Sequence, residues 1–324
     1  MNRLRIIPVF TLLASWVLLG ATQTFGQNYP TRYVRIITGP PGNIHDIVAR
    51  GLAQRLSERW GQPVIVQNQG GAGGAIGAAM AVKAAPDGYT LLLGDRTSLA
   101  AAPSLHKSLP YDPVRDLSPI TLVARAPAIL TLHPSVPSDS LDEFVAYLHK
   151  QPSPVPYASS GPGTFSHFSG VLFEQLAGVK LLTVQYKGGG AAAIAVLGGE
   201  AKFSFLPVPA VLPQINTGKL KAIALTSAQR FEGAPAIPTV HEAGLSGMQD
   251  EQWLGMLAPA GTPDAIVKRL NQEIVEVLQT PAFRVILQAQ GATPAPGTPA
   301  ELAAFMASET IRLRKLIAAS GLTI

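Results

Sequence analysis

The chain has 324 residues, 47% of them hydrophobic and 14% charged, with no cysteine. That length allows one large domain or two ordinary ones with a sizeable core. A charged content below the usual quarter excludes disorder and a nucleic-acid binder built on charge density. The formal charge is +5, and without Arg3 and Arg5 it is +3, too slight to imply a polyanionic partner. The missing cysteines exclude disulfides, thiolate metal sites and a lipoprotein anchor.

Residues 1–26 follow the plan of a secretory signal peptide. Arg3 and Arg5 form a positive start, Ile6 to Gly20 an apolar core, and Thr24 and Gly26 suit cleavage before Gln27. A cut after Ala21 is the alternative. The apolar core is short for a membrane span, contains Pro8 and lacks a charged stop beyond it, so an exported protein is expected.

From there the pattern is strand then helix, repeated. YVRII (33–37) reads as a strand, and apolar residues at helical spacing predict a helix over 44–60. PVIVQN (63–68) is a strand, 74–85 an alanine-rich helix, and YTLLLG (89–94) a third strand. A long extended run covers 120–134. Strand–helix pairs follow at 155–159 with 165–176, 181–186 with 191–197, and 201–205 with 208–216, then a strand at 219–227. HEAGL (241–245) reads as a short helix, and helices are predicted at 263–278, 281–290 and 299–319. This alternation predicts an α/β fold with mostly parallel sheets. Two lobes are expected, 27–126 with 251–324 and 127–250, joined by paired extended crossovers near 120–132 and 251–258.

Loops that follow strands carry the chemistry. GPPGN, GGAGG, DRTS, SGPGTFSH, KGGG and LPVPA each stand at the carboxyl end of a predicted strand. In a parallel sheet such loops gather on one edge, where ligands bind. Glycine lets backbone N–H groups approach a guest, and a helix start adds unpaired donors with a partial positive charge. The natural guest is a carboxylate or phosphate. Each candidate also has a structural reading. Asn43 and Asp46 fit an N-cap and N3 pair, while Asp46 at a cleft mouth would also suit a ligand ammonium or a water. The glycine run containing Gly73 lacks the G-x-G-x-x-G spacing of a dinucleotide site, and close helix packing competes with ligand contact. Arg96 is either a surface charge or a bidentate partner for a ligand carboxylate. In the second case its truncation would weaken binding and leave ligand-free melting unchanged. Thr97 and Ser98 would supply hydroxyls. Among Ser160, Thr164 and Ser166 one is a helix cap, leaving the others for the cleft. His167 in a first helical turn is a packing residue or a ligand contact. Tyr186 would wall the cleft before GGG.

Enzymatic patterns are missing. There is no G-x-S-x-G and no H-E-x-x-H, and the six histidines show no metal spacing. No catalysis and no cofactor are expected, and a secreted hydrolase is the weaker rival.

Long stretches resemble the periplasmic receptors of tripartite tricarboxylate transporters, the Bug family. They include YPTRYVRIITGPPGNIHDIVAR, GQPVIVQNQGGAGGAIGA, AAPDGYTLLLG, LPYDPVRDLSPITLVA, YASSGPGTFSHFSGVLFEQLAGV, VQYKGGGAAAIAVLGGE, GKLKAIALTSAQR, IPTVHEAGL and LAPAGTPDAIVKRLNQEI. The resemblance implies a two-lobed type II periplasmic-binding fold that closes on a small carboxylate, like a Venus flytrap. It puts Pro41, Gly42, Asn43 and Asp46 on the first ligand loop. Ser160, Gly163, Thr164, Ser166 and His167 fall on a second-lobe loop, and Tyr186 and Gly189 on another. It also implies a transient partner in the membrane transporter subunits, with a sensor-kinase ectodomain as the alternative, and a monomer that binds no nucleic acid. Three positions depart from the family pattern. Asn43 stands for a second glycine and His45 for a small residue. Leu206 and Pro207 stand where an Asp is common. The last change turns the expectation from amino acids towards a simple, aromatic or otherwise apolar carboxylate, and His45 suggests an affinity that changes near neutral pH.

Overall fold

The computed structural model describes residues 29–322; the leader expected at 1–26 lies outside them. Strand β1 (Val34–Thr38), helix α1 (Ile44–Trp60), β2 (Val64–Asn68), α2 (Ala75–Val82) and β3 (Thr90–Asp95) alternate as the hydrophobic spacing predicts. A π-turn, Thr97–Ala101, leads into the short α3 (Ala102–Leu105). Next come the long β4 (Leu117–Leu132), α4 (Leu141–His149), β5 (Val155–Ser159), α5 (Phe165–Ala177), β6 (Leu181–Gln185) and α6 (Gly189–Leu197). The series continues with β7 (Phe203–Pro207), α7 (Val208–Asn216) and β8 (Lys221–Leu225). The last part holds β9 (Glu251–Pro259), α8 (Asp264–Gln279), α9 (Pro281–Ala289), β10 (Thr293–Pro294) and α10 (Pro299–Ser320). Helix α4 is an addition to the expected elements. HEAGL is a run of turns rather than a helix: the Ala243 amide reaches back to Thr239 O, but the Gly244 amide closes on His241 O.

The strands form one sheet in the order β2-β1-β3-β9-β4-β7-β5-β6, with β8 and β10 also paired to β4. The first part of β4 pairs antiparallel with β9, from Leu117↔Pro259 to Pro127↔Glu251. Its last part pairs antiparallel with β7, from Ala128↔Pro207 to Leu132↔Phe203. The two extended runs thus cross between halves of the sheet side by side. β9 is antiparallel to β3 as well, so β1, β2 and β3 run in the direction of β4. β7, and β5 and β6 parallel to it, run against β4. The carboxyl ends of the two parallel sets therefore point towards each other across the stretch of β4 around Ala126–Ala128.

Alternation along the strands sets the layers. Val34, Ile36, Leu91 and Leu93 pack on α1, α8 and α9 on one face. Ile37 and Leu92 pack on α2, the π-turn and α10 on the other. Helix α2 lies close because its buried residues are alanines and Gly77; a Cβ on Gly77 would sit 3.3 Å from Gln69 O and 3.4 Å from Ile37 Cγ2. The other half is built on an aromatic cluster of Phe144, Tyr157, Phe173, Phe203 and Phe205. Phe168 of α5 belongs to the core beneath α10, which ties α5 to the first half.

Candidate functional site

Three strand-to-helix loops of the first half enclose a cavity of about 260 Å³. The β1–α1 loop contributes Gly39, Pro40, Asn43 and His45. The β2–α2 loop contributes Gln69 and several glycines, and the turn after β3 contributes Asp95, Thr97 and Ser98. Gly71, Gly73 and Gly74 have φ of 110°, 61° and 90°, and the intervening Ala72 has φ 47°. A loop with four successive positive φ values requires glycine at most positions. It also brings the chain close to the next loop: a Cβ on Gly73 would stand 2.8 Å from Thr97 Cγ2. Gly77 packs α2 against the sheet and also lines the cavity, as Gly73 does.

The β1–α1 loop is fixed from within. Asn43 caps α1 through a 3.1 Å bond from the Asp46 amide to Asn43 Oδ1. Asp46 is buried and accepts from the Gly42 amide at 2.9 Å, Asn68 Nδ2 at 2.8 Å and Arg50 Nε at 2.9 Å. Burial pushes its carboxyl up, but the Gly42, Arg50 and Asn68 bonds outweigh that and hold it below the usual carboxylate range. With its acceptors so occupied, Asp46 acts here as the loop's anchor and is absent from the cavity wall. Pro41 and Gly42, on the same loop, are exposed and do not line the cavity.

Arg96 requires a correction. Its side chain is 2% exposed and turns away from the cavity into an ion pair with Asp250 at 2.8 Å, with Glu309 at 3.8 Å. Its guanidinium lies 5.2 Å from the Phe165 ring centre and 5.9 Å from that of Phe168. Asp250 also accepts from Arg312 at 2.9 Å and from Ser169 Oγ at 2.7 Å. One buried carboxylate thus gathers the π-turn, α10 and α5, at the point where the chain enters β9. Leu206 is the second correction: it is fully buried in the second-half core, and Pro207 beside it is the exposed residue.

The second-half candidates form their own group at the opposing strand ends. The Ser160 amide donates to Ser166 Oγ at 2.7 Å, and Thr164 Oγ1 donates to Gly161 O at 2.7 Å. The Gly163 amide donates to His167 Nδ1 at 3.2 Å, so His167 helps close the start of α5. Burial pushes its pKa down, which favours the unprotonated Nδ1 that this bond needs. The Gly188 amide meets Ser160 O at 3.0 Å. A Cβ on Gly189 would lie 3.7 Å from Pro207 Cδ and 3.8 Å from Ser160 Oγ, so three loops converge here also. Tyr186 is half-buried on the core beside them, its hydroxyl 3.5 Å from Glu200. None of this group lines the first-half cavity.

Sequence reasoning passed over Asp95, Gln69 and Gln252. Asp95 accepts from the Ser98 amide at 2.9 Å, Ser98 Oγ at 2.8 Å, His45 Nε2 at 3.1 Å and Gln252 Nε2 at 3.1 Å. The spacing of Asp95 to Ser98, an acid three residues before a hydroxyl at a strand end, is the signal that was available for it. Gln252 reaches it from β9, 157 residues away, and no local pattern announces that contact.

Opposed sets of strand-to-helix loops on a sheet crossed by two shared strands define a binding protein of the periplasmic type. Residues 48–322 match the family described as tripartite tricarboxylate transporter family receptor, and the chain belongs to that family. It is 36% identical to Protein BugT of Bordetella pertussis, over 99% of both chains. An R. palustris protein solved with adipate is 31% identical, with a TM-score of 0.78, covering 91% of this chain and 99% of its own. MatC from Rhodopseudomonas palustris, solved with bound malate, is 31% identical with a TM-score of 0.73, covering 89% of this chain and 100% of its own.

Two outcomes are expected. Arg96→Ala leaves Asp250 buried with a cation removed and lowers stability by about 3–5 kcal/mol in urea unfolding, reversing the expectation that melting is unaffected. For Asp46, the depressed folded pKa gives stability that is present above the unfolded value of about 3.9 and is lost as pH falls through the folded one. Asp46→Asn should therefore melt below the parent at mildly acidic pH, and the gap should close as thermal scans are taken to stronger acid.

Proposed function

We propose that this chain is an exported receptor that captures a small carboxylate between two lobes, 27–126 with 251–324 and 127–250, and delivers it to the membrane subunits of a tripartite transporter. The observation that carries this reading is the opposition of the two loop sets across Ala126–Ala128, with a glycine-walled cavity already formed on one side. Main-chain amides and hydroxyls at the strand ends suit an anion, each otherwise unpaired donor contributing about 1–3 kcal/mol. A handful of them reaches micromolar affinity, about −8 kcal/mol. The adipate and malate carried by two relatives support the carboxylate class. Closure follows from contacts that the ligand makes with both sides. The carboxyl ends hold no acid in the second-half loop at Leu206–Pro207 to receive an ammonium, which favours an acid without an amino group.

Titration calorimetry of the mature chain against simple, dicarboxylic and aromatic acids tests the reading, and silence across that panel sinks it. Gly73→Ala puts a methyl group against Thr97 in a left-handed backbone. It should weaken the best ligand about tenfold, close to 1.4 kcal/mol, while unfolding free energy falls by about 1–2 kcal/mol.

A further inference from the structure

The cavity proposed to hold an anion has a charge problem. Among the described residues that line it there is one carboxylate, Asp95, one imidazole, His45, and no lysine or arginine. Arg96, adjacent in sequence, is committed to Asp250. Asp95 is ionised: burial would raise its pKa, but the hydrogen bonds from the His45 ring and from the Ser98 amide and hydroxyl bring it below the usual range. A ligand carboxylate would therefore enter beside a fixed negative charge.

The His45 ring is where this can be balanced. Its Nε2 sits 3.1 Å from Asp95 Oδ2, and because Asp95 is an acceptor, that nitrogen carries the hydrogen. Nδ1 is buried and has no hydrogen-bond partner. In the neutral ring Nδ1 is then a lone pair, and a carboxylate offers only more lone pairs. Groups beside the His45–Asp95 pair are already committed. Gln252 from β9 is uncharged and spends its amide on Asp95, and Tyr111 donates its hydroxyl to Ser98 O at 2.7 Å. Asp46, next on the same helix, is held by Arg50 and Asn68. Asp95 itself already accepts four donors.

We propose that His45 takes up a proton at Nδ1 when a carboxylate enters this cavity, so that binding of the anion is coupled to formation of an imidazolium that balances it. The inference rests on the receptor reading above. The proton comes from solvent and no other bond changes. Imidazole is the side chain that gains charge between about pH 5 and 8, so capture strengthens as the medium acidifies.

The test is calorimetry of the mature chain with adipate and malate in two buffers of different ionisation enthalpy. The expected result is uptake of about one proton per ligand on the alkaline side, with affinity falling by up to roughly tenfold per pH unit there. His45→Gln should bind with buffer-independent heats and a flat pH profile. Asp95→Asn gives a second arm: its amide can donate to Nε2, which moves the ring hydrogen to Nδ1, so the binding it retains should show the same heat in both buffers. Parent protein that binds either acid with equal heats in both buffers and constant affinity overturns this inference and leaves the receptor reading standing. So does His45→Gln that still takes up the proton. No binding of any acid by the folded parent overturns the receptor reading, and this inference with it.

Discussion

One strand fixes the geometry of everything else. β4 is hydrogen-bonded on both sides in each half, and its partners in the two halves are both antiparallel to it. Because β9 is in turn antiparallel to β3, the parallel strands of the first half and those of the second run head to head. Strand-to-helix loops always follow carboxyl ends, so both sets of glycine-bearing loops face the same region without any further instruction. The opposition of the loops is a consequence of strand direction before it is a consequence of any side chain.

The buried ion pairs and the cavity wall are built from different groups. The acid Asp250 gathers Arg96, Arg312 and Ser169 where the halves meet, out of contact with solvent. The cavity is walled instead by backbone, hydroxyls and amides, with His45 and Asp95 as its titratable pair. A buried ion pair of the first kind holds position because removing one partner strands the other. The second kind of surface leaves polar atoms without a protein partner, and the unpaired nitrogen of His45 is the clearest case.

Much of this was legible in the chain. Hydrophobic spacing gave the strand–helix order, and proline and glycine marked the loops that gather at the strand ends. What periodicity cannot report is where a side chain turns once its loop is built. Arg96 lies at a strand end beside Thr97 and Ser98, yet it points to a partner 154 residues away. Asp46 looks the same in sequence whether it anchors a loop or holds a guest, and the structure gives it three donors. Leu206 sits one residue short of the exposed position. Helix α4 escaped notice because a proline- and serine-rich stretch precedes it, although Ser140 accepts from the Glu143 amide as an ordinary cap. Asp95 was missed because its importance comes from Gln252 and His45, neither of which is near in sequence.

Arg96 stands between Asp95 and Thr97, both in the cavity wall, while its own side chain is committed to Asp250. Gln252, two residues beyond Asp250, in turn donates to Asp95. Wall and frame are therefore stitched together through alternate residues of the same two short segments, so a displacement of one is handed directly to the other.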